Sequence, residues 1–258
     1  MESDESDGSF PPWVSLEYTQ MLSLAHPSPV IFSSLSVPSV DSLRQLLTPA
    51  TPSSNTAFST IEGTKTKGDL SEFRTEHKSV GELMNAEGID LSRVCLLDPK
   101  ADKAIHPSDR EEFDWFLSVH PFSSLATSSG LTYNNRFGGI LGDDPPRDRT
   151  AELRKQGFPT RHLGAMQMTT DTALGVTKLV VQDQSLSPPL LYSSAHSDDS
   201  WKIVPMEEIP FVDNPTIRFD EVESVEMPFR YVRDKEGEPI LPRGMRKLLQ
   251  DDMDKAFE

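Results

Sequence analysis

The segment from Phe137 to Thr150 carries the densest set of residues that could do chemistry in this chain. Gly138, Gly139 and Gly142 follow an apolar run, and glycine lets a ligand approach the main chain, whose amide and carbonyl groups can then bind it. The spacing matches neither the GxGxxG pattern of dinucleotide-binding proteins nor a Walker loop. A tight turn between a strand and a helix therefore remains the alternative interpretation of these glycines.

Carboxylates follow the glycines directly. Asp143 and Asp148 flank a stiff pair of prolines, and each could hold a cationic group through charge-assisted hydrogen bonds. Asp148 also lies between Arg147 and Arg149, so a structural ion pair is nearly as good an interpretation of that residue. The segment thus offers a main-chain binding loop and acidic side chains close together in sequence.

A second candidate segment runs from Thr160 to Ala173 and leads into a helical apolar pattern. Thr169, Thr170 and Asp171 suit the first turn of that helix, and capping alone would explain them. No second histidine or cysteine stands near His162 at metal-ligand spacing, which argues against a zinc site.

The elements that must position these segments alternate between helical and strand-like patterns, which predicts an α/β fold with a mainly parallel sheet. Ligands of such sheets bind beyond the carboxyl ends of the strands, where the glycine segment should fall. The spacings Ser79…Glu82 and Ser108…Glu111 are capping boxes that predict two helix starts, and Thr150 is expected to cap a third helix. The sequence predicts helices over 13–25, 39–47, 79–88 and 151–156 and strands over 30–32 and 93–98.

Two Ser/Thr-rich segments interrupt this order, at residues 118–136 and 185–201. The first separates Leu117 from Phe137, which would otherwise join one strand to the glycine segment. Both are predicted to be surface loops, which a chain tolerates at modest entropic cost. The abrupt change of composition inside a strand also supports the hypothesis that the first segment, and with it the second, is translated intron, which sequencing of the transcript would test.

Composition limits the possible partners. The chain has 258 residues, with 25 basic against 41 acidic side chains and a formal charge of −16. A nucleic-acid-binding protein normally presents a basic face, so a basic macromolecule is the better partner and neither nucleic acid nor membrane is expected. Cys95 is the only cysteine, which excludes an internal disulfide. The acidic start lacks the features of a secretory signal, so a soluble, cytoplasmic protein is expected.

Four blocks of sequence, taken in order, resemble the SPOUT-class protein arginine methyltransferase family of fungi. The resemblance implies an S-adenosylmethionine-dependent enzyme that monomethylates an arginine of a small-subunit ribosomal protein and acts as a monomer. It also implies a SPOUT-like, trefoil-knotted parallel sheet flanked by helices, whereas the residue patterns alone predict an unknotted sheet. The blocks are 93–99, 137–150, 163–173 and 226–242.

The resemblance further implies one domain over residues 1–258, with loop or disordered segments at 1–12, 49–68, 118–136 and 185–201. The first strand of the family is expected to be missing, because residues 1–12 are acidic and poor in strand-forming residues. Direct in-line transfer is the implied mechanism, with Asp143 and Asp148 as candidate catalytic carboxylates and Glu226 next. The residues implied to enclose the methyl donor are Leu97, Asp98, Pro99, Gly138, Gly139, Leu141, Gly142, Leu163, Gly164, Met168, Thr169 and Thr170.

Two alternatives stay open at this point. An RNA methyltransferase is the commoner activity of the wider SPOUT class, but it would need a basic surface that this sequence does not show. A non-catalytic ribosome-associated binding factor could keep the same fold while the interrupting segments disable the pocket.

Overall fold

The computed structural model describes six parts of the chain, residues 10–48, 70–119, 124–126, 150–181, 205–220 and 223–256. The first half contains α1 (Pro12–Ala25), β1 (Val30–Ser33), α2 (Val37–Leu47), β2 (Phe73–Thr75), α3 (Val80–Glu87), β3 (Val94–Leu97), α4 (Asp109–Glu112), β4 (Trp115–Val119) and β5 (Ser124–Ala126). The second half contains α5 (Ala151–Lys155), β6 (Thr160–Arg161), α6 (Thr170–Val181), β7 (Phe211–Asp213), β8 (Thr216–Arg218), β9 (Ser224–Glu226), β10 (Arg230–Val232) and α7 (Met245–Ala256).

Six strands form the main sheet in the order β2-β1-β5-β4-β3-β6. The pairs β1–β2, β3–β4 and β3–β6 are parallel, whereas β5 runs antiparallel to both of its neighbours. The expected α/β architecture with parallel strands is therefore confirmed. Two antiparallel pairs, β7–β10 and β8–β9, lie outside the main sheet.

Helices cover both faces of this sheet, because successive side chains of a strand point to opposite sides. Cys95 and Leu97 of β3 belong to a core cluster shared with α1, α2 and α6. Val94 and Leu96 belong to a second cluster, which α3 and Leu153 of α5 complete. Among the described residues, no helix is long and apolar enough to cross a membrane.

The capping box at α3 forms as predicted. The Glu82 carboxylate accepts a hydrogen bond from the Ser79 N–H at 2.7 Å, and the Ser79 hydroxyl accepts one from the Glu82 N–H at 3.3 Å. Gly88 ends the helix with a φ of +68°, a left-handed conformation that glycine adopts without strain.

The second predicted capping box is wrong. The Ser108 side chain makes no cap bond and instead contacts Nδ1 of His106 at 2.8 Å. The backbone of Ser108 has helical angles, φ −70° and ψ −16°, instead of the extended conformation of a capping residue, and Asp109 accepts the His106 N–H at 2.8 Å. The helix that follows has only four residues.

The prediction of a surface loop over 118–136 is wrong in part. Strand β4 continues to Val119, and residues 124–126 form β5, which pairs Leu125 with both Phe32 and Ser118. The segment therefore contributes a strand between β1 and β4. Pro12 opens α1, whereas Phe10 and Pro11 belong to no helix or strand, so the predicted loop or disordered segment 1–12 is one residue too long at its end; its residues 1–9 lie outside the described part of the chain. The predicted segments 49–68 and 185–201 lie outside the described residues.

Candidate active site

Asp98 follows β3 directly, and its buried carboxylate holds the start of α5. Oδ1 accepts hydrogen bonds at 2.9 Å from the Thr150 hydroxyl, from Nη2 of Arg154 and from the Lys100 N–H. Nε of Arg154 binds Oδ2. Burial raises the pKa of Asp98, but the hydrogen bonds from Arg154, Lys100 and Thr150 outweigh burial and hold that pKa below its ordinary value.

This arrangement corrects the predicted role of Thr150. Its hydroxyl makes no cap bond to α5 and donates to Asp98 instead. Because residues 137–150 end at this threonine, Asp98 fastens the end of the glycine segment to the carboxyl end of β3. The Asp98 side chain is thus occupied by protein partners.

The other two residues of this loop differ in exposure. Leu97 is buried in the core, whereas Pro99 is exposed. The Asp98 N–H donates to the carbonyl oxygen of Arg161 at 2.9 Å, which joins the end of β3 to the end of β6. The two loops that follow these strands, beginning at Asp98 and at His162, therefore start side by side.

The loop from Leu163 to Thr170 is held by β10. The Arg230 N–H donates to the Gln167 carbonyl at 2.8 Å, and Met168 forms a parallel bridge with Arg230. Asp213 in turn binds the Arg230 guanidinium through two hydrogen bonds of 2.6 and 2.8 Å. The pair β7–β10 therefore sets the position of a loop that was predicted to enclose the methyl donor.

Gly164 turns this loop with a φ of +98°. A Cβ at this position would lie 3.2 Å from Cε of Met206 and 3.3 Å from Nη1 of Arg230, so a larger residue would need both neighbours to move. Residues 165 and 166 are exposed. These two residues therefore face solvent.

The end of the loop enters α6. The Thr169 hydroxyl donates to the Thr172 hydroxyl at 2.8 Å, and the Thr169 carbonyl accepts the Ala173 N–H at 2.9 Å. Thr170 is fully buried, and its hydroxyl has no hydrogen-bond partner among the described residues. Thr169 thus serves the helix start.

The remaining predicted site residues divide into two groups. Glu226 ends β9 with an exposed side chain, and no hydrogen bond among the described residues joins it to the loop at Leu163. Whether Glu226 lies near Asp143 and Asp148 stays a prediction, since both aspartates lie outside the described residues. The other group, which lies outside the described residues, consists of Gly138, Gly139, Leu141, Gly142, Asp143 and Asp148.

Sequence reasoning missed a buried acidic cluster formed by Glu17, Asp171 and Tyr231, which come from α1, α6 and β10. Their exposed fractions are 4%, 2% and 1%. One carboxyl oxygen of each acid and the tyrosine hydroxyl have no hydrogen-bond partner among the described residues. The signal was a glutamate inside the apolar pattern of α1, since glutamate is almost never fully buried unless it is paired.

The members of the buried acidic cluster influence one another. Burial raises the pKa of Glu17 to about 9, and repulsion from Asp171 contributes to the rise. Burial also raises the pKa of Asp171, although hydrogen bonds from Thr169 and from the main chain of the helix start oppose it. The pKa of Tyr231 is raised by burial and by both acids. A cation placed between the three groups would relieve this repulsion.

Comparisons with known proteins agree along almost the whole chain. The family described as protein arginine N-methyltransferase SFM1-like matches residues 3–118 and 135–256. Protein arginine N-methyltransferase SFM1 of Saccharomyces cerevisiae is 35% identical over 261 residues, which cover 99% of this chain and 96% of that protein. The family match leaves out residues 119–134, the stretch that contains β5.

Solved structures give the same result. The crystal structure of the yeast arginine methyltransferase SFM1 complexed with SAM is similar with a TM-score of 0.62 and 32% identity, covering 98% of this chain and 88% of that one. The structure of the same yeast enzyme complexed with SAH is similar with a TM-score of 0.58 and 32% identity, covering 96% of this chain and 91% of the other.

Proposed function

The chain belongs to the SFM1-like family of protein arginine N-methyltransferases, which take their methyl group from S-adenosylmethionine, and on that basis we propose that it monomethylates one arginine of a small-subunit ribosomal protein. Net charge is the observation that carries the choice of substrate. With 41 acidic against 25 basic side chains, the chain attracts a basic protein and repels the phosphates of RNA.

The described loops fit the methyl donor. The loop after β3, over 97–99, and the loop from Leu163 to Thr170 start side by side, and the buried Thr170 hydroxyl lacks a partner among the described residues. Main-chain groups of the exposed residues 165 and 166 would bind polar edges of the donor. The glycine segment, fastened through Thr150 to Asp98, would complete the enclosure. When bound, the donor supplies an electrophilic methyl group on a sulfonium.

The protein must make a poor nucleophile react. Arginine stays protonated up to a pKa above about 12, and its lone pairs are delocalised. Carboxylates are needed to orient one guanidino nitrogen toward the methyl group and to stabilise charge as a proton leaves. Asp143 and Asp148 are proposed for this role, with Glu226 next, and transfer is direct, without a covalent enzyme intermediate.

The proposal includes the fold and state of the family that the four sequence blocks resemble. The parallel strands β4, β3 and β6 would form the core of a SPOUT-like trefoil knot, and the enzyme would act as a monomer in the cytoplasm. Support comes from the order of these strands and from the loops that follow β3 and β6, both of which belong to the resembling blocks.

Transfer of labelled methyl from S-adenosylmethionine to separated small-subunit ribosomal proteins tests the function. We expect monomethylarginine on one basic protein, and label that resists ribonuclease. Label that ribonuclease removes would instead identify an RNA methyltransferase. A folded chain that binds S-adenosylmethionine and transfers no label would favour a non-catalytic ribosome-associated factor.

A further inference from the structure

The buried acidic cluster has the composition of a guanidinium site. We propose that Glu17 and Asp171 receive the guanidinium of the substrate arginine, with the Tyr231 hydroxyl as a third acceptor. This inference rests on the proposed arginine methylation, and it adds Glu17 and Asp171 to Asp143 and Asp148, the carboxylates proposed above to orient the guanidinium. The three side chains are almost completely buried and belong to α1, α6 and β10, of which α1 and β10 both pack against α6.

Unfilled acceptors are the first argument. Oε2 of Glu17, Oδ1 of Asp171 and the Tyr231 hydroxyl have no hydrogen-bond partner among the described residues. Buried polar groups are normally hydrogen-bonded, and each one left without a partner costs free energy. A guanidinium presents five N–H donors in a planar fork, which suits several acceptors held close together.

The absence of a resident cation is the second argument. No ion pair among the described residues reaches Glu17 or Asp171. The nearest lysine on the same helix face, Lys178, lies seven residues beyond Asp171, about two helical turns away, and its ammonium binds the carbonyl oxygen of His26. The two acids are therefore left to a cation that comes from outside this part of the chain.

Position relative to the methyl donor is the third argument. Asp171 comes one residue after the loop from Leu163 to Thr170, which is proposed to enclose the donor. Tyr231 follows Arg230, whose N–H holds the same loop through Gln167. A guanidinium bound by the cluster would thus lie next to the end of the loop that is proposed to enclose the donor.

The reaction balances at this site. A guanidino nitrogen forms the new bond to the methyl carbon with its own electron pair, while the bond from that carbon to sulfur breaks and leaves its electrons on sulfur. The nitrogen loses one proton, which the ionised Asp171 carboxylate accepts. The product keeps a single positive charge, and the donor sulfur becomes a neutral thioether.

Conservative variants test the assignment. Glu17→Gln, Asp171→Asn and Tyr231→Phe keep the shape of each side chain while they remove a carboxyl group that can ionise or a hydroxyl. We expect kcat/KM for the ribosomal protein to fall at least about 100-fold in the two acid variants and about 10-fold in Tyr231→Phe. The affinity for S-adenosylmethionine, measured by calorimetry, should stay within about threefold, and Glu17→Asp should recover part of the activity.

Controls separate the possible outcomes. Glu111→Gln removes an exposed carboxylate on α4 and should leave both activity and donor affinity unchanged. Acid variants that fold, bind the donor and keep kcat/KM within about threefold of the wild-type value would overturn the inference. A parallel loss of donor affinity would also overturn it, because the cluster would then act only by holding the loop. A wild-type chain that methylates no arginine would instead refute the proposed function on which the inference rests.

Discussion

Replacing Arg154 should lower both the free energy of unfolding and the affinity for the methyl donor, because Arg154 binds the buried carboxylate of Asp98. The side chain of Asp98 is 0% exposed and that of Arg154 is 32% exposed. Arg154→Met would leave Asp98 with the Thr150 hydroxyl and the Lys100 N–H as its described partners. The carboxylate would stay buried after losing the only opposite charge that the described residues provide at this point.

The expected loss in the free energy of unfolding follows from how deeply the two side chains are buried. Breaking a fully buried ion pair from one side costs about 3 to 5 kcal/mol, whereas an exposed pair contributes about 0 to 1 kcal/mol. Because about a third of Arg154 is exposed, we expect a loss of about 2 kcal/mol, or a drop in Tm of about 4 to 8 °C. The pKa of Asp98 lies below its ordinary value in the folded state, so this stability should be present at neutral pH and lost as the pH falls below about 4.

A second ion pair, at the other end of β3, provides the control. Arg93 binds Asp114, and their side chains are 40% and 27% exposed. Arg93→Met should therefore lower the free energy of unfolding by at most about 1 kcal/mol and leave donor affinity unchanged. Urea unfolding at pH 7 and at about pH 3, with and without S-adenosylmethionine, measures both pairs under the same conditions.

A double-mutant cycle decides how Asp98 serves the donor. If Asp98 acts only by fastening Thr150 and Arg154, then Asp98→Asn, Arg154→Met and the double variant should weaken binding of S-adenosylmethionine by similar factors. Additive losses would show that Asp98 reaches the donor itself. That result would refute the reasoning that its side chain is fully occupied by protein partners.

Three further changes test other parts of the structure. Asp143→Ala should lower the rate of methyl transfer at least about 100-fold with little change in donor affinity, and unchanged turnover would remove Asp143 from catalysis. Glu17→Gln should raise the free energy of unfolding by at least about 1 kcal/mol at pH 8 but hardly at pH 5. The reason is that a carboxyl whose pKa is raised to about 9 in the folded state opposes folding more strongly as the pH rises. An equal effect at both pH values in urea unfolding would contradict this. Joining Leu117 to Phe137 should give a chain with an undiminished Tm, since the family match leaves out residues 119–134, and a chain that no longer folds would show that β5 is required.

Local sequence patterns predicted a helix start correctly where the two residues of the pattern bind each other. The box at Ser79 forms because Glu82 is the best partner within reach, and Gly88 stops the helix by its left-handed conformation. The same pattern failed at Ser108, whose backbone is helical instead of extended. Thr150 failed as a cap for a different reason, because its hydroxyl binds a carboxylate that is 52 residues away in sequence.

Non-local pairing explains the other errors. Nothing in the composition of 118–136 indicates that residues 124–126 should pair with β1, about 90 residues earlier, because a three-residue strand is specified by its neighbours rather than by its own sequence. The interaction of Glu17 with a second acid could not be predicted either. The pattern of α1 shows which face of the helix is apolar but not which distant acid lies against that face. The loops after β3 and β6 were predictable because parallel strands bring their carboxyl ends to one edge.

Exposed and buried carboxylates of this protein differ in how they act on a basic substrate. The exposed acids of a chain with a charge of −16 attract a basic protein from a distance but do not select one arginine. A carboxylate in water attracts a guanidinium weakly, whereas the same pair in a buried site is strong once its hydrogen bonds are complete. Glu17 and Asp171 meet the second condition, since they are buried and still have unfilled acceptor oxygens. An arginine that entered between them would complete those bonds, so recognition of the target residue, as distinct from attraction to basic surfaces in general, should depend on this pair.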